Sequence, residues 1–158
     1  MRTIRRRRFE AKTDYKARLS LLKSEKPRLV IRKTNKYLIV QIVQTEIAQD
    51  KVICGSSSKL LLSKGWPQEL AGSLKSLAAS YLTGYLVGKC ALEKGISEAI
   101  MDAGMHISVK NSRIYAALKG ALDSGMNIPH SKEIIPEIEI IKNDKVSKIF
   151  DKIVGGIK

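Results

Sequence analysis

The spacing of apolar positions changes along the chain. From Pro27 onward, three short runs rich in Val and Ile read as strands: Arg28 to Arg32, Tyr37 to Gln44 and Lys51 to Ser56. The link Thr34-Asn35-Lys36 reads as a tight hairpin turn. In the second run Leu38, Val40 and Ile42 share one face while Tyr37, Ile39 and Val43 share the other, which predicts a central strand covered by helices on both sides. From Pro67 to Lys94 the spacing becomes three to four residues through Leu70, Leu74, Leu77, Tyr81 and Tyr85, predicting one long helix that Gly95 stops. Its small residues Gly84, Gly88 and Ala91 could pair helices, but they predict close packing on a sheet.

A short apolar run, Ala99 to Ala103, follows as a further strand. Asn111 to Gly125 then repeats the helical period with Ile114, Ala117, Leu118, Ala121 and Leu122, capped at its start by Asn111 or Ser112 and ended by Gly125. Strand, long helix and strand in that order predict a right-handed crossover between parallel neighbours. The expected fold is α/β: a mixed β-sheet with helices packed on it, a basic N-terminal arm and a short C-terminal helix.

Three segments are expected: residues 1–26 as the arm, 27–128 as the α/β core and 129–158 as a C-terminal extension. In the arm, Thr13 or Asp14 can cap a short helix with Ala17, Leu21 and Leu22 on its weakly apolar side and Lys16, Arg18 and Lys23 outward. In the extension, Val146, Ile149, Phe150, Ile153 and Val154 form a brief amphipathic pattern ended by Gly155 and Gly156. Those side chains need a surface to cover, either this chain's own core or a neighbouring molecule.

Composition sharpens the picture. The 158 residues carry 29 Lys plus Arg against 15 Asp plus Glu, a formal charge of +14, and a polyanionic partner becomes the leading expectation. Residues 1–36 alone hold 14 basic and 3 acidic side chains, so the excess is an N-terminal device. Four adjacent guanidinium groups, Arg5, Arg6, Arg7 and Arg8, repel one another and bury nothing, so on their own they should lack a fixed backbone. The 44% apolar content supports one hydrophobic core. No apolar stretch follows the basic N-terminus as a secretion signal would require, and the charge-free run Ser76 to Gly88 is shorter than the ~20 residues of a membrane-spanning helix. Cys54 and Cys90 are too few for a disulfide framework and read as core residues of a protein in a reducing compartment.

Catalytic arrangements are scarce. The sequence contains no phosphate-cradling GxxxxGK[ST], no GxGxxG and no GxSxG element. His106 and His130 stand far apart with no Cys or His at zinc-ligand spacing, so neither metal nor cofactor is expected. Asp102 lies at a strand end where catalytic carboxylates occur, and it is the one candidate acid or metal ligand. No second carboxylate joins it, and capping near Gly104 is the preferred role. A small nucleic-acid-processing hydrolase using Asp102, and a chromatin-type basic DNA binder, remain as alternatives.

The basic features suit RNA. A planar guanidinium fits phosphate oxygens bidentately and stacks on unpaired bases. Three polar loops add cations and short hydrogen-bonding side chains: Arg32-Lys33-Thr34-Asn35-Lys36, Ser56-Ser57-Ser58-Lys59 and Lys110-Asn111-Ser112-Arg113, the last at a helix start. Aromatic residues are only 5% of the chain, with Phe9, Tyr15 and Tyr37 near the basic regions, so structured RNA read by shape fits better than a single strand stacked on rings.

Several ordered blocks carry a resemblance. They are Arg5-Arg6-Arg7-Arg8 followed by Lys12-Thr13-Asp14-Tyr15 and Ala17-Arg18, the Pro-Arg-Leu-Val run from Pro27, Thr34-Asn35-Lys36 leading to Gln41-Ile42, and Asp102-Ala103-Gly104. The longest runs from Ala117-Leu118-Lys119-Gly120 through Asp123-Ser124-Gly125 to Ile128-Pro129-His130-Ser131. On these the chain resembles the 5S-rRNA-binding ribosomal proteins of the L-eighteen family, in its archaeal and eukaryotic branch. The resemblance implies a non-enzymatic constituent of the cytoplasmic large ribosomal subunit, located in the central protuberance. Its implied partners are 5S rRNA, 23S rRNA and neighbouring large-subunit proteins, including the other 5S-rRNA-binding protein, with no membrane. It implies a fold like that of the S-eleven ribosomal proteins. The RNA-contacting candidates become Arg2, the arginine run, Lys12, Thr13, Tyr15, Lys16, Arg18, the three loops, His130 and Ser131. Contacts made by the longer C-terminal extension of eukaryotic members are not expected, since the sequence stops at Lys158.

Overall fold

The computed structural model describes residues 4–10, 12–47, 49–142, 149, 150, 153 and 155. Arg2, Val146, Val154 and Gly156 lie outside the described residues. The expected α/β fold is present. Strands β1 (Arg28–Lys33), β2 (Leu38–Glu46), β3 (Gln49–Ser57) and β4 (Ile100–Asp102) form a mixed sheet in the order β3-β2-β1-β4. β2 is antiparallel to both β1 and β3, and β4 runs parallel to β1. The connection from β3 to β4 therefore crosses β2 and β1 to reach the far edge. The expected crossover between parallel neighbours is corrected: the parallel pair that touches is β1 and β4.

The β1–β2 turn closes through Thr34, whose hydroxyl donates to the Tyr37 carbonyl at 2.8 Å and accepts from the Tyr37 amide at 2.9 Å. This side chain supplies the turn geometry that a glycine often provides.

One sheet face is apolar. Leu29, Ile31, Leu38, Val40, Ile42 and Cys54 pack there against Val87, Ala91, Ile114, Ala117, Leu118 and Ala121 of two helices, α3 (Leu77–Glu93) and α4 (Arg113–Asp123). Burial and then the adjacent Cys90 push the Cys54 thiol up to about 11, so it stays protonated as a core residue. Among the described residues the other face does not carry the second helical layer that β2 predicted. Val30, Ile39 and Gln41 are only half-buried there, and the strand register places Arg28, Thr45 and Asp102 on that side.

The long helix starts later than its pattern predicts. Residues Ser58–Lys64 and Gln68–Ser73 form 3₁₀ turns. The Leu70 carbonyl accepts from Trp66 Nε1 at 3.1 Å and from the Ser73 hydroxyl at 2.6 Å, tying the chain into a local knot of turns. Ser76 then opens α3, its hydroxyl accepting from the Ala79 amide at 3.3 Å.

Gly84 and Gly88 of α3 face α4 rather than the sheet. A Cβ on Gly84 would lie 1.9 Å from the Ala117 carbonyl oxygen, and one on Gly120 would lie 2.0 Å from the Tyr81 carbonyl oxygen. The glycines let two helix backbones touch, so the pairing reading holds within the chain, and the predicted close packing on the sheet is corrected.

On its remaining side α3 meets a second apolar cluster. Leu61, Trp66, Leu74, Tyr81 and Tyr85 surround Ile141 of α5 (Ile138–Ile141) together with Phe150 and Ile153. Tyr81 and Phe150 have ring centroids 5.1 Å apart. Ile149, Phe150 and Ile153 thus cover this chain's own body. A helix buried on nearly every side, as α3 is, needs no polar face, which explains its run of uncharged residues.

The arm holds two short helices, α1 (Arg6–Phe9) and α2 (Tyr15–Leu22), neither with a buried residue. The arginine run thus forms one helical turn where the sequence predicts none. Local partners account for it: Arg6 pairs with Glu10 at 3.5 Å, Arg7 Nε donates to the Thr13 hydroxyl at 3.0 Å, and the Lys12 and Thr13 amides donate to the Arg7 carbonyl.

Candidate nucleic-acid interface

The candidate residues fall into two cationic groups. The first is the arm. Asp14 caps α2 by accepting from the Lys16 and Ala17 amides at 2.9 and 3.2 Å, which selects it over Thr13 as the cap. Arg5, Arg6, Arg7 and Arg8 are exposed, with the Arg5 guanidinium 4.8 Å above the Tyr15 ring. Lys12 pairs with Glu10 at 2.7 Å, and Lys16 is exposed.

Arg18 is placed differently. Its guanidinium meets Asp50 at 2.8 Å, near the β2–β3 hairpin, so the fold already uses it.

The second group gathers at the end of the sheet where β1 and β4 finish. Lys33 pairs with Leu38 across the Thr34-Asn35-Lys36 turn, and Ser56 and Ser57 pair with Val40 and Ile39, which brings the second polar loop to the same end. The loop after β4 joins them, since the Lys33 amide donates to His106 Nε2 at 3.2 Å. Burial, then the charges of Lys33 and Arg32, lower the His106 pKa and keep this acceptor neutral. Lys59 is exposed beside them, and Lys75 donates to the Asn35 carbonyl at 2.9 Å. The sequence does not single out Lys75, because it sits inside a continuous helical pattern where a lysine reads as an ordinary solvated position.

Lys110 is exposed and Arg113 half-exposed at the start of α4. Asn111 takes a left-handed backbone (φ 57°), and its amide donates to the Ile134 carbonyl. Ser112 stands at the cap position but makes no capping hydrogen bond, so the predicted side-chain cap is absent. Ser58 is fully buried and its hydroxyl accepts from the Leu38 amide at 3.1 Å, so it serves the strand and offers no surface. His130 and Ser131 are exposed on the stretch leading to Ile134, with His130 Nδ1 2.7 Å from the Ile128 carbonyl.

Asp102 is fully engaged by the fold. Its carboxylate accepts from Arg28 at 2.7 Å, from Arg32 at 2.8 Å and from the Gly104 amide at 2.9 Å. Burial raises its pKa, but Arg32, the Gly104 amide and Arg28 outweigh that and hold it below the usual carboxylate range. This is the capping role the sequence favours. Among the described residues no three His, Cys, Asp or Glu side chains gather as a metal site.

The same contacts extend into a ladder that sequence reasoning missed. Arg28, 3% exposed, also reaches Asp50 at 2.7 Å, so Arg18, Asp50, Arg28, Asp102 and Arg32 alternate in sign across the open sheet face. No local pattern signals it, because its members are spread from position 18 to position 102.

The sequence matches the family of ribosomal large subunit proteins 60S L5 and 50S L18 over residues 1–98 and 93–131. The chain belongs to this family. It is 48% identical to the large ribosomal subunit protein uL18 of Korarchaeum cryptofilum over 94% of its own length and 74% of that protein's. It is 48% identical to uL18 of Aeropyrum pernix over 90% of this chain and 65% of the relative. Against uL18 of Methanothermobacter thermautotrophicus identity is 39% over 94% and 75% of the two lengths. Family membership makes this chain a structural protein of the large ribosomal subunit and not an enzyme. It sets aside the hydrolase and chromatin readings, and no described helix is long and apolar enough to cross a membrane.

Proposed function

We propose that this ribosomal protein binds 5S rRNA and attaches it to 23S rRNA in the central protuberance, beside the other 5S-rRNA-binding protein and within the cytoplasm. Residues 1–26 act as the gripping arm, 27–128 as the body and 129–158 as a C-terminal extension. The observation that carries this reading is the state of Arg5 to Arg8. All four are exposed, and among the described residues Arg5, Arg6 and Arg7 find partners only inside the arm: Tyr15, Glu10 and Thr13. A concentrated cation cluster that, among the described residues, the protein neutralises only through Glu10 beside Arg6 is suited to phosphates.

The sheet-end group of Lys33, Thr34, Asn35, Lys36, Ser56, Ser57 and Lys59 offers a second contact, and Lys110 and Arg113 at the start of α4 add two further cations. Two separated contacts suit a protein that joins two RNA segments. His130 and Ser131 lie on a further exposed stretch.

The test is a competition binding measurement. Unlabelled 5S rRNA should displace labelled 5S rRNA far better than duplex DNA of equal length. If about 6 to 10 phosphates are neutralised, raising salt from about 50 to 200 mM should weaken binding on the order of a thousandfold or more. Deleting residues 1–8 should lower affinity and flatten that dependence. Equal displacement by DNA, or an unchanged salt slope, would refute the reading.

A further inference from the structure

α2 carries two of the arm's cations, Lys16 and Arg18, and follows the arginine run, yet it has little to hold it in place. It buries no residue, and Leu21 and Leu22 at its end are only half-buried. Among the described residues its long-range side-chain hydrogen bond is the ion pair from Arg18 to Asp50 at 2.8 Å.

An exposed ion pair is ordinarily worth little, because two long side chains must be immobilised to form it. Here one partner is immobilised in advance. Asp50 also accepts from the Thr45 hydroxyl at 2.7 Å and from buried Arg28 at 2.7 Å, and Arg28 is itself braced by Asp102. Burial raises the Asp50 pKa, but hydrogen bonds from Thr45, Arg18 and Arg28 outweigh it, so the carboxylate stays charged. Arg18 thus closes onto a rigid anion, and only its own freedom is lost.

We propose that Arg18 and Asp50 are positioning residues of the RNA interface: the pair tethers α2 to the β2–β3 hairpin so that the arm meets RNA already aligned. This deepens the function proposed above and rests on it. Arg18 acts through the arm and touches no phosphate. Asp50, although an acid in an RNA-binding protein, promotes binding.

Simple electrostatics predicts the opposite affinity change for Asp50 and a different salt slope for Arg18. Losing Asp50 would strengthen binding to a polyanion, and losing a phosphate-contacting arginine would reduce the salt slope by about 0.7 to 0.9. A tether predicts that Arg18→Ala and Asp50→Ala each weaken 5S rRNA binding about tenfold through lost pre-organisation. The double variant should be no weaker than either single one, because both remove the same contact. The salt slope of Arg18→Ala should match that of the unaltered protein, Arg18→Lys should recover most of the affinity, and the exposed cation change Lys16→Ala should reduce the slope.

Asp50→Ala also removes a partner of Arg28 and can disturb the sheet. The decisive variant is therefore Arg18→Ala, which leaves the Thr45, Asp50 and Arg28 contacts intact. Amide hydrogen exchange on the RNA-free full chain supplies an independent reading. Arg18→Ala should speed exchange across residues 15–22 and leave β1 and β2 unchanged.

Unchanged exchange in that helix overturns the tether. Faster exchange with unaltered affinity overturns the positioning role, and so does a slope reduced by about 0.7 to 0.9 in Arg18→Ala. If the unaltered protein ignores 5S rRNA, the RNA reading falls and positioning with it, while exchange still reports whether Arg18 holds the helix.

Discussion

Gly84 of α3 meets the carbonyl of Ala117 in α4 so closely that a Cβ at position 84 would stand 1.9 Å from that oxygen. Gly120 returns the contact against the Tyr81 carbonyl at 2.0 Å. Neither obstacle is a flexible side chain, so adding a methyl group must push the helices apart. Gly84→Ala and Gly120→Ala should each destabilise the fold by about 3 kcal/mol, the upper end of typical overpacking, as measured by urea unfolding. Gly88→Ala should cost less, since its first obstacle is the Ser124 hydroxyl, a side-chain atom. Gly72→Ala, with nothing within 4 Å, should shift stability by less than about 1 kcal/mol.

What the sequence discloses follows from how far apart the interacting residues lie. The Asp14 cap, the Val- and Ile-rich strands and the Gly125 stop are signalled within a few residues, and the structure repeats them. The premature start assigned to α3 has a physical origin. Leu70 lies within the 3₁₀ turns of Gln68–Ser73 and Leu74 directly follows them, so their four-residue separation matches a helical spacing without either belonging to the α-helix. Ser58 looked like a loop hydroxyl because its neighbours are polar, and only the position of the Leu38 amide reveals why it is buried. The charge ladder and the Lys75 contact join distant parts of the chain, and no local pattern encodes them. The arm needed no such contact to be noticed, because its signal is charge density alone.

Asp102 holds two arginines and an amide, and Arg28 beneath it is almost wholly enclosed. Asp102→Ala leaves the Arg28 guanidinium with Asp50 and Thr45 alone. Removing one partner of a buried ion pair should cost on the order of 3 kcal/mol, read as a lowered urea midpoint with an unchanged slope. Asp102→Asn retains a group able to accept from the Gly104 amide and should fall between the two. A loss within error of zero for Asp102→Ala would show that the ladder contributes nothing to the fold.

The same groups set the dependence on acidity. Asp50 and Asp102 both have folded-state pKa values below the ordinary 3.8, so their contributions are complete above about pH 4 and vanish as pH falls through the lowered values. His106 acts earlier. Its folded pKa lies below the ordinary 6.5, so on acidification the unfolded chain takes up that proton first and stability begins to fall just below pH 6.5. Unfolding free energy measured from pH 7 to pH 3 should therefore decline in two stages. His106→Gln should remove the first stage and leave the second in place.

Phe150 tests whether the extension stabilises the body it covers. Its side chain is 4% exposed, and its ring lies against Tyr81, whose hydroxyl donates to Asp123 at 2.8 Å. The extension thus reaches α3 at the residue where α3 is fastened to α4. Truncating a buried phenylalanine ordinarily costs about 3 to 5 kcal/mol through lost transfer energy and the cavity left behind. The full amount requires that the segment stay docked around the hole. If it detaches, the loss is limited to the free energy of docking, and Tyr81, Leu74 and Trp66 become accessible to water. Phe150→Ala should therefore destabilise by no more than about 3 kcal/mol and raise binding of an apolar fluorescent dye. Affinity for 5S rRNA should be largely retained, because the arm that carries the proposed grip has no residue in this cluster. A large loss of RNA affinity with intact stability would instead assign the extension a direct place on the RNA.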